Sequence, residues 1–260
     1  MARGQRTAAI LGGLALAGIA YLIYRVVTAP RGRLALRFID GDDYIYVPPS
    51  ESLVSTDAVT VGLRVRFAGW SSALLRKYYE TYWIEVQYRK GYVVKDWTGI
   101  SWNVMTTEKW FCAMRDFDIK EGPWHYICAI YDRSKYVSGE IYVDGEESRY
   151  GSSFLRHGQI ADSSSPLIIG SFDKFFGFKN MIFNGYLTHV HLYPNKALAV
   201  EEIKKNAISP DDPVREGLRL FYSVRPDTIR DIDWDGVLEI LDLSGHNNHG
   251  KVHGARPAWV

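Results

Sequence analysis

The chain has 260 residues, 47% hydrophobic and 23% charged, with a formal net charge of +1. That balance is too apolar for a disordered chain and too neutral to offer nucleic acid the basic face it normally needs. The length suits one large all-β domain or two small ones.

Thr7 to Tyr24 reads TAAILGGLALAGIAYLIY, about 18 residues without a charge, and Val26 and Val27 extend it to the length that crosses a bilayer. The expectation is a single transmembrane helix within residues 1–29, with Tyr21 and Tyr24 at the interface and Arg25 snorkelling from its end. A cleaved signal peptide is the alternative, although a cut after Ala29 would leave Pro30 as the new N-terminus.

From Leu34 to Tyr193 short β-like runs alternate with Gly, Asp, Asn, Ser and Pro, the pattern of an antiparallel two-sheet jelly-roll sandwich. In AVTVGLRVRF, Val59, Val61, Leu63, Val65 and Phe67 share one face. Trp83–Tyr88, Phe111–Phe117, Tyr126–Tyr131, Glu140–Val143 and Leu167–Ile169 continue the series, and Asp144-Gly145 marks a hairpin turn. Lys196 to Ala207 fits one short amphipathic helix, ended by Pro210 and Pro213. Strands resume at Leu218, followed by the turn DLSGHNNHG. Cys112 and Cys128 flank a turn near Lys120 and read equally as a cross-strand disulfide or as two buried thiols.

These pieces resemble the laminin G-like jelly rolls of the concanavalin A-like lectin and glucanase superfamily. The matching stretches are LRFIDGDDYIYVP from Leu36, WHYICAIYD from Trp124, GEIYVDGEE from Gly139, PLIIGS from Pro166 and FNGYLTHVHLYPNKALAVEEI from Phe183. GLRLFYS from Gly217 and DLSGHNNHG from Asp242 complete the set. In that family the DLSGHNNHG-like segment comes first and leads within a few residues into the LRF strand, whereas here the two stand at opposite ends of residues 30–260. The expectation is a circular permutation in which Val260 returns beside Arg33, within roughly 20 Å if a few residues once joined them. Exchange of the last strands with a neighbouring molecule, giving a homo-oligomer, is the alternative.

The resemblance implies a surface protein that recognises a glycan or another protein. The arginine count, two before the apolar run and four soon after it, does not favour an outside C-terminal domain. The domain type favours the outside of a cell or virion, and the expectation follows it. A structural assembly role in a cell envelope, filament or virion is the second reading. The resemblance also permits calcium, for which Asp40, Asp42 and Asp43 are the candidates, against turn-forming aspartates that cap their own backbone. Catalysis is not expected, because Glu140, Asp144 and Glu146 lack the spacing of a paired nucleophile and acid. His189 with His191, and His246, His249 and His253, are weighed as metal ligands against ordinary strand and turn residues. For ligand contact the candidates are Trp97 and Trp102, in what reads as an excursion between strands, and Phe175, Phe176 and Phe178, in a Gly-hinged loop.

Overall fold

The computed structural model describes residues 32–69, 71–77, 81–92, 95–108, 110–116, 122–135, 139–147, 158–162, 164–171, 182–231 and 237–260. The expected membrane span, Thr7 to Tyr24, lies outside them; among the described residues no helix is long and apolar enough to cross a membrane.

The strands, in chain order, are β1 Leu34–Phe38, β2 Tyr44–Val47, β3 Ala58–Phe67, β4 Leu75–Lys77, β5 Tyr82–Tyr92, β6 Lys95–Met105, β7 Trp110–Asp116, β8 Trp124–Asp132 and β9 Gly139–Val143. They continue with β10 Glu146–Glu147, β11 Leu167–Gly170, β12 Gly185–Pro194, β13 Leu220–Ser223, β14 Ile229–Asp231, β15 Leu238–Ile240, β16 Gly250–His253 and β17 Arg256–Trp259. One sheet runs β10-β9-β8-β3-β12-β1-β17, with β13 also paired to β12; the other runs β14-β15-β16-β2-β11-β4-β5-β6-β7. The two bury a common apolar core between them, so the all-β sandwich expected from the pattern is the fold.

The core follows from alternation. Val59, Val61, Leu63, Val65 and Phe67 of β3 all point into it, as their period of two requires. In β12 a bulge at Thr188 shifts the register against β3, so that Leu187 is followed inward by Val190 and Leu192. The extra residue turns His189 and His191 to the outer face. The Asp144-Gly145 turn is as expected, with φ of 56° and 84°, and joins β9 to β10.

Two expectations change, and one open alternative is decided. GYVVKDWTGISWNVM is not an excursion: its described residues belong to the long paired strands β5 and β6, in which Tyr82 pairs with Val104 and Arg89 with Trp97. The helix, α1, starts later than its periodicity suggests, at Val200, and ends at Ile208. The Thr60 hydroxyl donates to the Lys196 carbonyl and accepts from the Leu198 amide, at 2.9 and 3.1 Å, which holds the first residues extended on β3. Cys112 and Cys128 sit in different sheets, β7 and β8, as free thiols. Burial pushes the Cys128 thiol far up, which leaves it inert.

The last strands complete both sheets. β16 lies between β15 and β2, with Val252 opposite Ile45, and β17 follows β1 at the edge of the first sheet. The chain divides into a compact body, Leu34–Ala258, and a unit holding Arg33 and Val260. Within the latter, the Arg33 and Val260 amides each donate to the other's carbonyl, both at 3.0 Å. This reciprocal exchange is the antiparallel pair that would close a hairpin if the two ends were joined. Closure therefore occurs within the chain, in the rotated order expected.

Deleting residues 242–260 would remove β16 and β17 and leave the backbone groups of β2 and β15 exposed. The truncated chain is expected to lose its cooperative thermal transition by circular dichroism. A transition close to that of the full chain would show these strands to be dispensable.

Candidate functional site

The connection from β1 to β2 makes a short turn held from several sides. The Asp43 amide donates to the Asp40 carbonyl at 3.2 Å, while the Asp43 carboxylate accepts from the amides of Ile39 and Asp40 at 2.6 and 3.2 Å. Ser171, just after β11, ties the turn down: its amide donates to the Asp43 carbonyl at 3.0 Å and its hydroxyl to the Asp40 carbonyl at 2.7 Å. On the other side Gly254, at φ +67°, leaves no room for a side chain against the Asp42 carbonyl and the Asp43 carboxylate.

Beside this turn lies a cavity of about 650 Å³, a size that suits a small ligand. Asp40 and Asp42 line it from the turn, Arg37 from β1 and Arg256 from β17, while Ile39, 55% exposed, supplies apolar surface. Carboxylates that only accept and guanidiniums that only donate thus stand around one small space, a set suited to a molecule rich in hydroxyls.

From the cavity an in-register row crosses the outer face of the first sheet. Arg37 on β1 pairs with Tyr186 on β12, Tyr186 with Arg66 on β3, and Arg66 with Trp124 on β8. Their inward neighbours Phe38, Leu187, Val65 and Phe67 are core, so the four point outward. The Arg66 guanidinium lies 4.3 Å from the Tyr186 ring centroid and 5.4 Å from that of Trp124, and Arg37 lies 5.8 Å from Tyr186. Contacts of this kind contribute about 0.5–1 kcal/mol each at exposed sites. Sequence reasoning missed this row. The signal was there in Arg64 and Arg66 alternating against the apolar face of β3, but cross-strand register is what places Tyr186 and Trp124 beside them.

The sequence candidates fare differently. Trp102 is fully buried: its indole donates to the Ile130 carbonyl at 3.0 Å and its ring lies 5.6 Å from that of Tyr82, so it is core and no platform for a sugar. Trp97 is on β6, opposite Arg89, with its side chain outside the described residues. Phe175, Phe176 and Phe178 also lie outside them. Of the three aspartates proposed for calcium, Asp43 is buried and its carboxylate is spent on the turn, so the set does not fit a calcium cage. Among the described residues no group of three or more His, Cys, Asp or Glu could hold a metal ion.

Glu140 and Asp144 on the acidic strand and its turn both have local partners. Glu140 accepts from the Tyr142 hydroxyl at 2.7 Å and from Lys135 at 3.1 Å. Asp144 accepts from the Tyr126 amide and meets His125 Nδ1, both at 2.8 Å. The histidines do not converge either. His249 Nδ1 accepts from the Asp242 amide at 2.9 Å, His246 meets Arg219 at 2.6 Å, and His253 stacks on Tyr44 at 4.6 Å. His189 and His191 are fully buried on the outer face of β12: His189 meets Asp211 at 3.0 Å, and His191 meets the Tyr126 hydroxyl at 2.9 Å and the Pro210 carbonyl at 3.0 Å.

The model of a family described as Concanavalin A-like lectin/glucanases superfamily matches residues 40–204. Among solved structures, a candidate carbohydrate-binding protein from Bacteroides ovatus ATCC 8483 is similar over 88% of this chain, at 18% identity and a TM-score of 0.63. The chain spans 60% of that protein. The heptameric SAP-like pentraxin of Limulus polyphemus is similar over 87% of this chain and 95% of its own length, at 12% identity and a TM-score of 0.58. Domains LG4-5 of the mouse laminin alpha1 chain match 66% of this chain and 44% of their own length, at 13% identity and a TM-score of 0.46. At these identities the likeness is one of fold. A search of curated proteins finds no match.

His191 makes the domain acid-sensitive. Burial, followed by the neighbouring His189, lowers its imidazole to about 3, against an ordinary value of about 6.5. The unfolded chain therefore takes up a proton that the folded chain refuses between these two values, and stability falls as pH drops through that window. Relative to wild type, His191→Gln is expected to flatten the fall of unfolding free energy between about pH 6.5 and pH 3 by a slope of about one proton. Parallel profiles for the two proteins would show that His191 does not resist protonation.

Proposed function

This chain belongs to the concanavalin A-like lectin/glucanases superfamily, and from that premise we propose that it recognises a glycan, without catalysis, in the cavity between the Ile39–Asp43 turn and β17. The observation that carries the reading is the wall chemistry: Asp40 and Asp42 stand among Arg37 and Arg256, next to exposed Ile39, on a turn braced by Ser171 and Gly254. Sugar hydroxyls donate to the carboxylates and accept from the guanidiniums, and a sugar's C–H face covers the isoleucine. A turn already fixed loses little entropy on binding, which favours affinity for a small polar ligand. The occupied state of Glu140 and Asp144 supports a binding role over a hydrolytic one.

In the same proposal the apolar run Thr7–Tyr24 is a single-pass anchor in a lipid bilayer, and the domain faces the outside of a cell or virion. The uncharged apolar length of the run supports the anchor, and the outside placement rests on the domain type, against the arginine count. Alkaline carbonate extraction is expected to leave the full-length protein in the membrane pellet; uncleaved protein in the supernatant would overturn the anchor.

The recognition itself is tested on a glycan array probed with the full chain in detergent. A defined set of glycans is expected to bind. Arg256→Ala should weaken that binding, and Asp40→Asn the binding of any uncharged glycan in the set, each by about tenfold or more, the effect of losing one hydrogen bond to a charged group, with the melting temperature retained. Binding unchanged in both variants would place the ligand elsewhere, and an array without any hit would defeat the reading.

A further inference from the structure

Resting on that reading, we propose that the row beside the cavity is a second subsite, made to hold a sulfate or carboxylate on the glycan. The glycan would then be an acidic one, lying from the cavity across the outer face of β1, β12 and β3.

The argument begins with charge. Arg37, Arg66 and Arg256 have no carboxylate partner among the described residues, although elsewhere Arg133 pairs with Asp57, Arg225 with Asp227 and Arg230 with Glu239. Arg66 and Arg37 stand on strands separated only by β12, which puts their backbones about 10 Å apart at the usual strand spacing. Arg256 extends the positive surface on β17, next to β1. Arg37 and Arg256 are exposed beside the cavity aspartates, whereas Arg66, half-buried between the rings of Tyr186 and Trp124, stands on the side of Arg37 away from them.

Geometry adds a reason for arginine at these positions. Tyr186 has Arg37 and Arg66 as its cross-strand neighbours on either side, and Trp124 flanks Arg66. A guanidinium held over aromatic rings, as Arg66 is at 4.3 Å from Tyr186 and 5.4 Å from Trp124, keeps N–H groups free to donate. A planar donor edge held in place matches the paired oxygens of a carboxylate or sulfate, and part of the ordering cost is met before the ligand arrives. Lysine would keep the charge but lose the fork and the stacking.

The aspartates fix where the acid goes. Asp40 and Asp42 on the cavity wall repel an anion, so the acidic substituent belongs on the Arg66 side of Arg37, and the cavity keeps the hydroxyl-rich part of the chain. This yields opposite responses at the two places. Removing the Asp40 charge weakens a neutral ligand, which needs it as an acceptor, but strengthens a polyanionic one.

The test uses the full chain in detergent and three polymers with one glucan backbone: dextran, carboxymethyl dextran and dextran sulfate. The charged polymers are expected to bind at least about tenfold more tightly than dextran, with affinity falling steeply from about 50 to about 500 mM salt. Arg66→Gln and Arg37→Gln should each lower that affinity several-fold at an unchanged melting temperature. Arg66→Lys should recover only part of it, and Asp40→Asn should raise it. The inference fails if the charged polymers bind no better than dextran, or if Arg66→Gln binds them as wild type does. It fails as well if polyphosphate or phosphatidylserine vesicles bind equally tightly, because the surface is then a general anion binder. Array hits that depend on Asp40 but not on Arg66 would sink this subsite and leave the cavity reading standing; absence of all glycan binding would sink both.

Discussion

Backbone hydrogen bonding at β1 and β2 is the constraint on which the rest of the structure depends. Each opening strand needs a partner on its open side, and that partner is supplied by the last residues of the chain, β17 and β16. An unpaired strand in either sheet would expose a row of amides and carbonyls and invite association with other chains. The C-terminal turn is built to deliver those strands. Asp242 accepts from the amides of Phe221, Ser244 and Asn248, each at 2.9 Å, and the Tyr222 hydroxyl donates to the Asn248 carbonyl at 2.7 Å. One carboxylate therefore coordinates the path of about ten residues on their way back to β2. The family match stops at residue 204, so β13 to β17 fall outside it, yet no sheet is complete without them.

The same closure creates the candidate site. β17 reaches β1 with Arg256 and Pro257 at the end where the Ile39–Asp43 turn stands, and the cavity is the space between them. Proline on this short edge strand removes a donor and blunts the edge against further pairing, so it can line a ligand site without becoming a template for aggregation. Site and closure share residues, and a change that loosens the edge also opens the cavity.

Buried polar groups show how much of the interior is committed to holding segments together. Lys77 and Asp162, both fully buried, meet at 2.6 Å; Lys77 also donates to the Leu53 carbonyl, and Asp162 accepts from the Ser55 amide. Desolvation lowers the Lys77 pKa despite the opposing pull of Asp162, so the pair is weak evidence for stability and better regarded as a fixed junction between β4 and two loops. His189 and His191 have the same role on the opposite sheet. They anchor the Pro210–Asp211 segment over β12, and their position is owed to one bulged residue, Thr188.

Local pattern was enough to determine the sandwich class, the face of β3, the Asp144-Gly145 turn and the short helix, because alternation, turn chemistry and periodicity are properties of neighbouring residues. Motif order was enough to place Val260 beside Arg33, since a rotated sequence must still satisfy the same strand pairs. Burial was not legible in this way: Trp102 and Trp97 look alike in the sequence, but only packing made Trp102 a core residue bonded to Ile130. The three aspartates looked alike too, until the fold aimed one carboxylate at its own turn. Cross-strand register belongs to the tertiary structure alone. Arg37, Arg66, Trp124 and Tyr186 are distant in the chain, and they form one row only because four strands align to within a residue; a slip of one would turn each of them into the core.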